Sequence, residues 1–403
     1  MSISEKPQSE QVQAPSHLSS SVIGLGFVSL FMDLSSEMIH SLLPVFLVSV
    51  LGVNVVSVGF IEGIAEATTS VTKVFSGVIS DWIGKRKPLI LLGYGLAAVT
   101  KPLFPVAFNI PTVLVARLVD RFGKGIRGAP RDALIADLTP QALRGAAYGM
   151  RQAMDTVGAF LGPALAILLM AKSGDNFRFV FWLAVVPAFV AVAIILLGVN
   201  EPEVIRGPVS RKIPIRRADL AGLDRAYWWV VGVASVLTLA RFSEAFLLLR
   251  AQTAGVAAAF VPAVLMVMNI IYAASAYPFG RLADKVSRKS LLAIGIVLLI
   301  AADVFLAFGE NVYPVFIGAA LWGLHMGATQ GLLSTFVAST CPENLRGTAF
   351  GIFNLLGGVA LLTASVLAGL LWTRIGPTAT FITGAGLASL ALIGFLARYK
   401  RQH

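Results

Sequence analysis

One short motif occurs twice in this chain. The first copy, GVISDWIGKRK at 77–87, contains Asp81, and the second, GRLADKVSRK at 280–289, contains Asp284. The offset between the two aspartates is 284 − 81 = 203 residues. Each copy follows an apolar run and ends in a basic cluster, so the two copies are expected to occupy equivalent positions in the fold.

A second pair of segments repeats with nearly the same offset. LRGAAYG at 143–149 recurs as LRGTAFG at 345–351, which gives 345 − 143 = 202 residues. Because two unrelated motifs share one offset, the chain is predicted to consist of two matching halves, as many membrane proteins built from internal repeats do.

The composition indicates that lipid is the main solvent of this chain. Hydrophobic residues make up 57% of the sequence and charged residues only 13%, about half the charged fraction of a soluble domain. The net charge of +11 would suggest a nucleic-acid partner in a soluble protein. Here the bases lie in short loops between apolar runs, so no nucleic acid is expected. The single Cys341 excludes an internal disulfide framework and a cysteine zinc site, and no metal or cofactor is predicted.

Twelve apolar runs are long enough to cross a bilayer, which takes roughly 20 residues. They are continuous and do not alternate, so helices and not a β-barrel are expected. Residues 1–20 are polar and are interpreted as a disordered tail, not a signal peptide. The predicted spans are 21–50, 55–80, 88–108, 111–137, 146–171, 177–199, 227–250, 258–282, 290–309, 312–339, 347–373 and 377–398.

The distribution of lysine and arginine predicts the orientation. One set of loops holds most of the bases, which places that set and both termini in the cytoplasm. The long basic, proline-containing linker at 201–226 divides the chain into bundles at 21–200 and 227–399, with six spans each. Six is an even number, so both bundles enter the membrane from the same side. The repeat is then parallel, about an axis along the membrane normal, in a multi-pass protein of the cytoplasmic (inner) membrane.

The repeated loops resemble the signature of the major facilitator superfamily, Gly-x-x-x-Asp-x-x-Gly-Arg-Lys. The first copy is close to it, and the second has Ser287 in place of the second glycine. The resemblance implies an all-α membrane protein of 12 transmembrane helices in two six-helix bundles related by pseudo-two-fold symmetry. It also implies that these loops act as gates that break as the bundles rock; the alternative is a plain basic loop that only sets topology. The gating-loop candidates are Gly77, Asp81, Gly84, Arg86, Lys87, Gly280, Asp284, Arg288 and Lys289.

The fifth span carries a second resemblance. Gly149, Gly158, Gly162 and Pro163 are similar to the superfamily's antiporter motif, with Ala166 in place of one of its last two glycines. In the superfamily this motif marks proton-coupled exporters. The alternative is a generic helix that is kinked by proline and packs closely through small residues.

Ionisable side chains inside spans are costly, so each is a functional hypothesis. Spans one and two each carry acids on one helix face, and His40 lies on the face of span one. Span four carries a stripe of mostly basic side chains within an arc of roughly 140°, at about 100° per residue. Span ten, its repeat partner, is nearly neutral. The candidates for the proton and substrate pathway are Asp33, Glu37, Glu62, Glu66, Arg117, Asp120, Arg121, Lys124, Arg127, Arg241 and Glu244.

Two interpretations of these charges stay open. The acids of spans one and two can neutralise the bases of span four as buried ion pairs, or some of the charges can bind substrate and protons. Arg117 resembles the span-four arginine that is linked to proton coupling in many members of the superfamily. The carboxylates favoured as proton carriers are, in order, Glu37, Asp33 and Glu62. The excess of bases on span four favours a substrate with an anionic group.

Other intramembrane charges are expected to be satisfied locally. Arg151 and Asp155, four residues apart, are predicted to form an ion pair, and Arg241 and Glu244 are open to the same interpretation. Asp303 is expected to be interfacial or locally paired.

The sequence therefore predicts a monomeric secondary transporter, not an enzyme, whose partners are a small-molecule substrate, protons and membrane lipid. No nucleophile–base motif is present, and the absence of a Walker motif excludes ATP as the driving force. Proton-coupled export of a small organic molecule by alternating access is the first prediction. The alternative is proton-coupled uptake of an anionic metabolite or metal chelate.

Overall fold

The computed structural model describes residues 18–83, 85–201, 222–283, 285–342 and 345–399. These residues form α-helices joined by short turns, with no strand among them. The helices are α1 (Ser20–His40), α2 (Leu43–Ser49), α3 (Val55–Ile83), α4 (Lys87–Thr100), α5 (Ile110–Asp137), α6 (Arg144–Ser173), α7 (Phe177–Gly198), α8 (Arg225–Ala240), α9 (Ala245–Thr253), α10 (Ala263–Ala283), α11 (Arg288–Phe308), α12 (Val312–Ser339), α13 (Arg346–Arg374) and α14 (Pro377–Tyr399).

Nine helical segments of the described residues are long and apolar enough to cross a membrane. Two of them, Ser20–Ser49 and Arg225–Thr253, each contain a pair of helices, α1 with α2 and α8 with α9. The helices α3, α4 and α5 are not among the nine. The apolar run of α4 spans only 14 residues, and α3 and α5 carry charged and polar side chains.

Turns that follow equivalent spans use glycine at equivalent positions. Gly52 and Gly255 both have positive φ, at 64° and 93°, and their offset is 255 − 52 = 203 residues. Gly174 and Gly376 also have positive φ, at 65° and 126°, with an offset of 376 − 174 = 202 residues. Side chains rarely adopt this backbone region, so the turns require glycine. The offsets match those of the sequence motifs.

Two helix starts repeat in the same way. The Oδ1 of Asn109 accepts a hydrogen bond from the backbone N–H of Thr112 at 3.0 Å, before α5. The Oδ1 of Asn311 accepts one from the backbone N–H of Tyr313 at 3.1 Å, before α12. Asparagine is a preferred N-cap because it satisfies a free N–H of the first turn. The two caps are 311 − 109 = 202 residues apart.

Helix packing follows one pattern in the N-terminal half (α1–α7) and the C-terminal half (α8–α14). In the N-terminal half, α1 packs on α6 and α7, α5 packs on α3 and α4, and α4 packs on α7. In the C-terminal half, α8 packs on α13 and α14, α12 packs on α10 and α11, and α11 packs on α14. The two halves, which share sequence motifs, therefore also share the same set of helix–helix contacts.

The two halves touch mainly through α3 with α13 and α6 with α10. Gly59 lies against the carbonyl oxygen of Ser365, and a Cβ on Gly369 would be 2.8 Å from the Val55 carbonyl oxygen. The helices α2 and α9 also meet. These contacts lie toward the turns at Gly52 and Gly255, which we call the closed face. The opposite end, with the loops at 85–87 and 285–287, is the basic face.

Two of the predicted spans, 21–50 and 227–250, each consist of two helices with a break between them. Span one breaks at Ser41, and α2 then begins with Pro44 in its first turn. Span seven breaks between Arg241 and Glu244, with Ser243 in the gap. The two serines are 243 − 41 = 202 residues apart. The breaks therefore share one position in the repeat, in the second half of each span.

Replacing Gly59 with leucine is expected to open the closed face, since a side chain there collides with the Ser365 backbone of the other half. The measurement is the distance between spin labels at Val50 and Thr253, by electron paramagnetic resonance, in a Cys341→Ala background. The distance distribution should shift to longer values in Gly59→Leu. In the control Gly95→Leu it should stay unchanged, because the space beside Gly95 is empty. An unchanged distribution in Gly59→Leu would contradict the closed face as described.

Candidate functional site

A charged cavity of about 360 Å³ lies between the two halves. This volume is within the range of small-molecule sites. Charged side chains come from both halves, and an aromatic wall comes from the C-terminal half. The lining of this central cavity is formed by Glu37, His40, Glu66, Arg121, Lys124, Arg241, Phe242, Ser243, Glu244, Trp322 and Leu361.

The helix breaks and the helical spacing bring these residues together. Side chains three or four positions apart share one helix face, which places Glu37 beside His40 on α1, and Arg121 beside Lys124 on α5. In the C-terminal half, the broken backbone at 241–244 presents four consecutive residues to the cavity, which a continuous helix would spread around its axis.

Glu62 and Arg117 form a buried ion pair beneath the cavity. Glu62 is fully buried and Arg117 is 3% exposed. The Arg117 Nε donates to Glu62 Oε1 at 3.1 Å, and the Nη2 donates to Oε2. Two parallel hydrogen bonds match the fork of a guanidinium to a carboxylate. This pair joins α3 to α5.

His40 is bound to the same carboxylate. Its Nε2 lies 3.2 Å from Glu62 Oε2, and its Nδ1 lies 3.8 Å from Glu37 Oε1. The imidazole therefore stands between two acids, one fully buried and one at the cavity. Helical spacing predicted that His40 lies on this face of span one, but His40 was not among the candidates. Its contact with Glu62 depends on how two helices pack, which the spacing alone does not indicate.

Three more of the predicted pathway residues take part in two further ion pairs. Glu66 Oε1 lies 3.3 Å from Arg121 Nη2. Asp120 Oδ1 accepts a hydrogen bond from Lys101 Nζ at 3.0 Å. Lys101, at the end of α4, is 2% exposed and was not among the candidates. A lysine inside the apolar run 88–108 was the signal that could have identified it.

Lys124 and Arg241 remain without an ion pair within 4 Å to any described residue, although both line the central cavity. Lys124 is exposed. The predicted local bridge between Arg241 and Glu244 is not formed within 4 Å, although the two side chains interact electrostatically. The cavity therefore contains two cations that are available to a ligand.

The basic stripe of α5 continues past Lys124 toward the basic face. Arg127 lies over the ring of Tyr94, with 4.3 Å from its Cζ to the ring centroid. Arg131 donates to Ser29 Oγ at 3.1 Å and to the Tyr94 hydroxyl at 3.2 Å. The helix persists through Pro130 to Asp137. Cation–π contact and hydrogen bonds thus offset the burial of these bases.

The small residues of the span-five motif bring α6 against the acidic face of α1. A Cβ on Gly158 would lie 3.1 Å from the Asp33 Cβ, and one on Gly162 would lie 2.6 Å from the Glu37 Cβ. Pro163 is buried beside them, whereas the position of Gly149 is open. The motif therefore positions two of the predicted proton carriers. The predicted ion pair between Arg151 and Asp155 on the same helix is confirmed.

The first gating loop contacts one acid at the start of the linker and one at the end of α5. The Glu201 carboxylate accepts hydrogen bonds from the backbone N–H groups of Arg86 at 2.5 Å and Lys87 at 2.9 Å. The Arg86 Nε lies 3.6 Å from Asp137 Oδ2. Gly77 lies next to α5, and Gly280 faces open space. The side chain of Asp81, together with Gly84 and Asp284, lies outside the described residues, so the gate at these positions stays a prediction.

Two titratable groups of the C-terminal half lie away from the cavity lining. Asp303 is fully buried, and neither carboxyl oxygen has a hydrogen-bond partner among the described residues, so the expectation of an interfacial or paired position is wrong. His325 Nδ1 donates to the Gly295 carbonyl at 2.7 Å. No group of three or more metal-ligating side chains occurs among the described residues.

Comparison with known proteins places this arrangement in a family. The family model described as Major Facilitator Superfamily matches residues 25–249 and 220–403. An uncharacterized MFS-type transporter of Methanocaldococcus jannaschii is 33% identical over 380 residues, which cover 93% of this chain and 94% of that protein. A gentisate transporter of Corynebacterium glutamicum is 26% identical over 366 residues, 85% of this chain and 80% of that protein. A crystal structure of a nucleoside transporter superposes with a TM-score of 0.78 at 13% identity, over 93% of this chain and 99% of that chain.

Removing one partner of the buried pair is expected to cost more than removing both. Arg117→Gln leaves the Glu62 carboxylate buried without a counter-charge, which should cost about 3–5 kcal/mol of stability. In the double variant Arg117→Gln/Glu62→Gln, two amides can bond to each other and much of the loss should be recovered. Thermal unfolding of the purified protein in detergent measures this, with the exposed Arg374→Gln as control. Additive losses would show that the two side chains do not act as a pair.

Proposed function

Since the chain belongs to the Major Facilitator Superfamily, we propose that this membrane transporter carries a small organic acid by alternating access, in exchange for or together with protons. The observation that carries the proposal is the central cavity, which is lined by charged groups of both halves and shut at the closed face. A carrier needs such a site at the interface of two bodies that rock against each other.

The proposed topology has twelve spans. The nine apolar segments and the helices α3, α4 and α5 give six spans in each half, in bundles at 21–200 and 227–399 joined by the linker at 201–226. The shared packing pattern and the repeated turns support the pseudo-two-fold relation. The excess of bases on the basic face supports a cytoplasmic location of that face and of both termini, in the cytoplasmic membrane.

The two cavity cations support an anionic substrate. Lys124 from one half and Arg241 from the other both line the cavity without an ion pair within 4 Å to the residues that the structure describes, and Phe242 and Trp322 supply aromatic surface beside them. A small acid can place its carboxylate between the cations and its body against the rings. Gentisate, the acid named for one relative, is an aromatic carboxylate of this kind.

The position of Lys124 also determines the expected sign of proton coupling. Lys124 interacts electrostatically with Asp33, Glu37 and Glu66. A substrate anion that occupies Lys124 weakens its effect on these carboxylates, which then hold protons more strongly. Binding linkage is reciprocal, so a proton in turn strengthens binding of the anion. An anionic substrate is therefore expected to travel with protons, which corresponds to uptake when the outside is acidic.

Export is the second candidate, and the contact of α6 with α1 favours it. Gly158 and Gly162 form this contact and belong to the motif that resembles that of proton-coupled exporters. The same linkage argument then requires a different ligand. A cationic substrate would bind Glu37 or Glu244 directly and compete with protons, so substrate and protons would move in opposite directions.

Transport of gentisate in proteoliposomes tests the proposal. Purified protein should give saturable counterflow at equal pH, and an acidic exterior should drive accumulation. Lys124→Gln should weaken gentisate binding by about tenfold or more, the cost of losing one hydrogen bond to a charged group. Lys172→Gln, at the exposed end of α6, is the matched control.

Two outcomes would contradict this account. Flux that rises linearly with concentration and shows no counterflow would indicate a pore. Accumulation that is driven only by an acidic interior would indicate antiport and support the second candidate.

A further inference from the structure

His40 lies between an acid that is partly exposed at the cavity and an acid that is fully buried. The side chain of Glu37 is 23% exposed, that of His40 is 14% exposed, and that of Glu62 is fully buried. His40 is also the last residue of α1, directly before the break at Ser41. Beyond the break, α2 packs on α9 at the closed face. The imidazole therefore lies between the cavity and the part of the interface that must separate when the closed face opens.

Hydrogen bonding at Glu62 determines which imidazole nitrogen carries a proton. Both Glu62 oxygens already accept hydrogen bonds from Arg117. The carboxylate can only accept from its third partner, so the His40 Nε2, 3.2 Å away, carries a hydrogen. The Nδ1 then faces Glu37 across 3.8 Å. A second proton on the imidazole at Nδ1 has a carboxylate ready to receive it.

The charges that line the cavity, together with the buried pair of Glu62 and Arg117, balance without a charge on His40. The groups facing it come from α1, α3, α5 and the break between α8 and α9. Four are acidic and four are basic: Glu37, Glu62, Glu66 and Glu244, with Arg117, Arg121, Lys124 and Arg241. A proton on His40 gives this set a net positive charge, and one bound carboxylate restores neutrality. Neutral sets cost least to bury as the cavity closes.

We propose that His40 holds the coupling proton and exchanges it with the cavity through Glu37. In the loaded state the imidazolium donates Nε2–H to Glu62 and Nδ1–H toward Glu37. In the release step the Nδ1 proton passes to Glu37 Oε1, and from Glu37 to cavity water. His40 is then neutral, keeps Nε2–H on Glu62 and leaves Glu37 ionised. Imidazole suits this role because its ordinary pKa, about 6.5, lies near physiological pH.

The inference rests on the proposed transport of an organic acid, and one pair of assays separates the two. His40→Gln keeps a side-chain N–H for Glu62 and cannot carry a proton. Counterflow of radiolabelled gentisate at equal pH reports alternating access alone, and accumulation driven by an acidic exterior reports proton coupling. A pH gradient of one unit supports up to about tenfold accumulation for one proton. His325→Gln, which alters the buried imidazole on α12 outside the cavity lining, is the matched control.

The expected result is that His40→Gln retains counterflow only at higher gentisate concentrations, because the imidazolium charge beside the bound carboxylate is missing, and that its accumulation is reduced to none, while His325→Gln accumulates gentisate like the wild type. Accumulation by His40→Gln at the wild-type level would overturn the role of His40 and leave the transporter proposal intact. If His40→Gln lost both counterflow and accumulation, His40 would be needed for substrate binding or folding, and the proposed role in proton coupling would be overturned. Absence of counterflow in the wild type would overturn the proposed function and this inference with it.

A second measurement needs no substrate. In purified protein with ¹⁵N-labelled histidine, the signals that disappear in His40→Gln belong to His40. Its Nδ1 signal should move as the pH is raised over the range in which the protein stays folded, because the imidazole loses its charge, while Nε2 stays protonated. Signals that stay constant over this range would overturn the proposal.

Discussion

The cost of placing charge in hydrocarbon determines the arrangement of this protein. An intramembrane ionisable side chain must be paired or hydrated, and the helices α1, α3 and α5 carry many of them. Glu62 with Arg117, and Asp120 with Lys101, solve this by pairing between helices, with each of the four side chains at most 7% exposed. Some of the remaining charges line the central cavity, whereas the last bases of α5 lie beyond it against Tyr94. The buried pairs join neighbouring helices, and the charges that line the cavity are the groups proposed to bind ligand and protons.

The internal repeat accounts for the arrangement of the helices. The charged side chains, which differ between the two halves, account for the properties of the cavity. Motifs, turn glycines, helix caps and the breaks in spans one and seven all recur at an offset of 202 or 203 residues. The charged side chains of α5 do not recur, since its repeat partner α12 is nearly neutral. One half thus supplies the groups that are proposed to hold protons, and the other contributes Arg241, Glu244 and the aromatic wall. The proposed rocking of the halves would change the distance between these two sets.

Much of the fold could be predicted from the sequence, because hydrophobic length and internal repetition are local properties that a single chain displays. The acidic face of α1 followed from helical spacing in the same way. The partners did not follow: that His40 meets Glu62, or that Lys101 meets Asp120, depends on the rotation of one helix against another. The break at Arg241–Glu244 was also missed, since no proline or glycine marks it and the apolar run continues through it.

The central claim is that a single polar cavity opens to one side of the membrane at a time. Reaction of Leu361→Cys, a cavity position, with a small membrane-impermeant thiol reagent tests it in a Cys341→Ala background. In vesicles of known orientation without substrate, the reagent should react from the basic face and not from the closed face. Gentisate should slow the reaction from the basic face and allow it from the closed face as the carrier turns over. Equal reaction from both faces, unaffected by gentisate, would contradict the account.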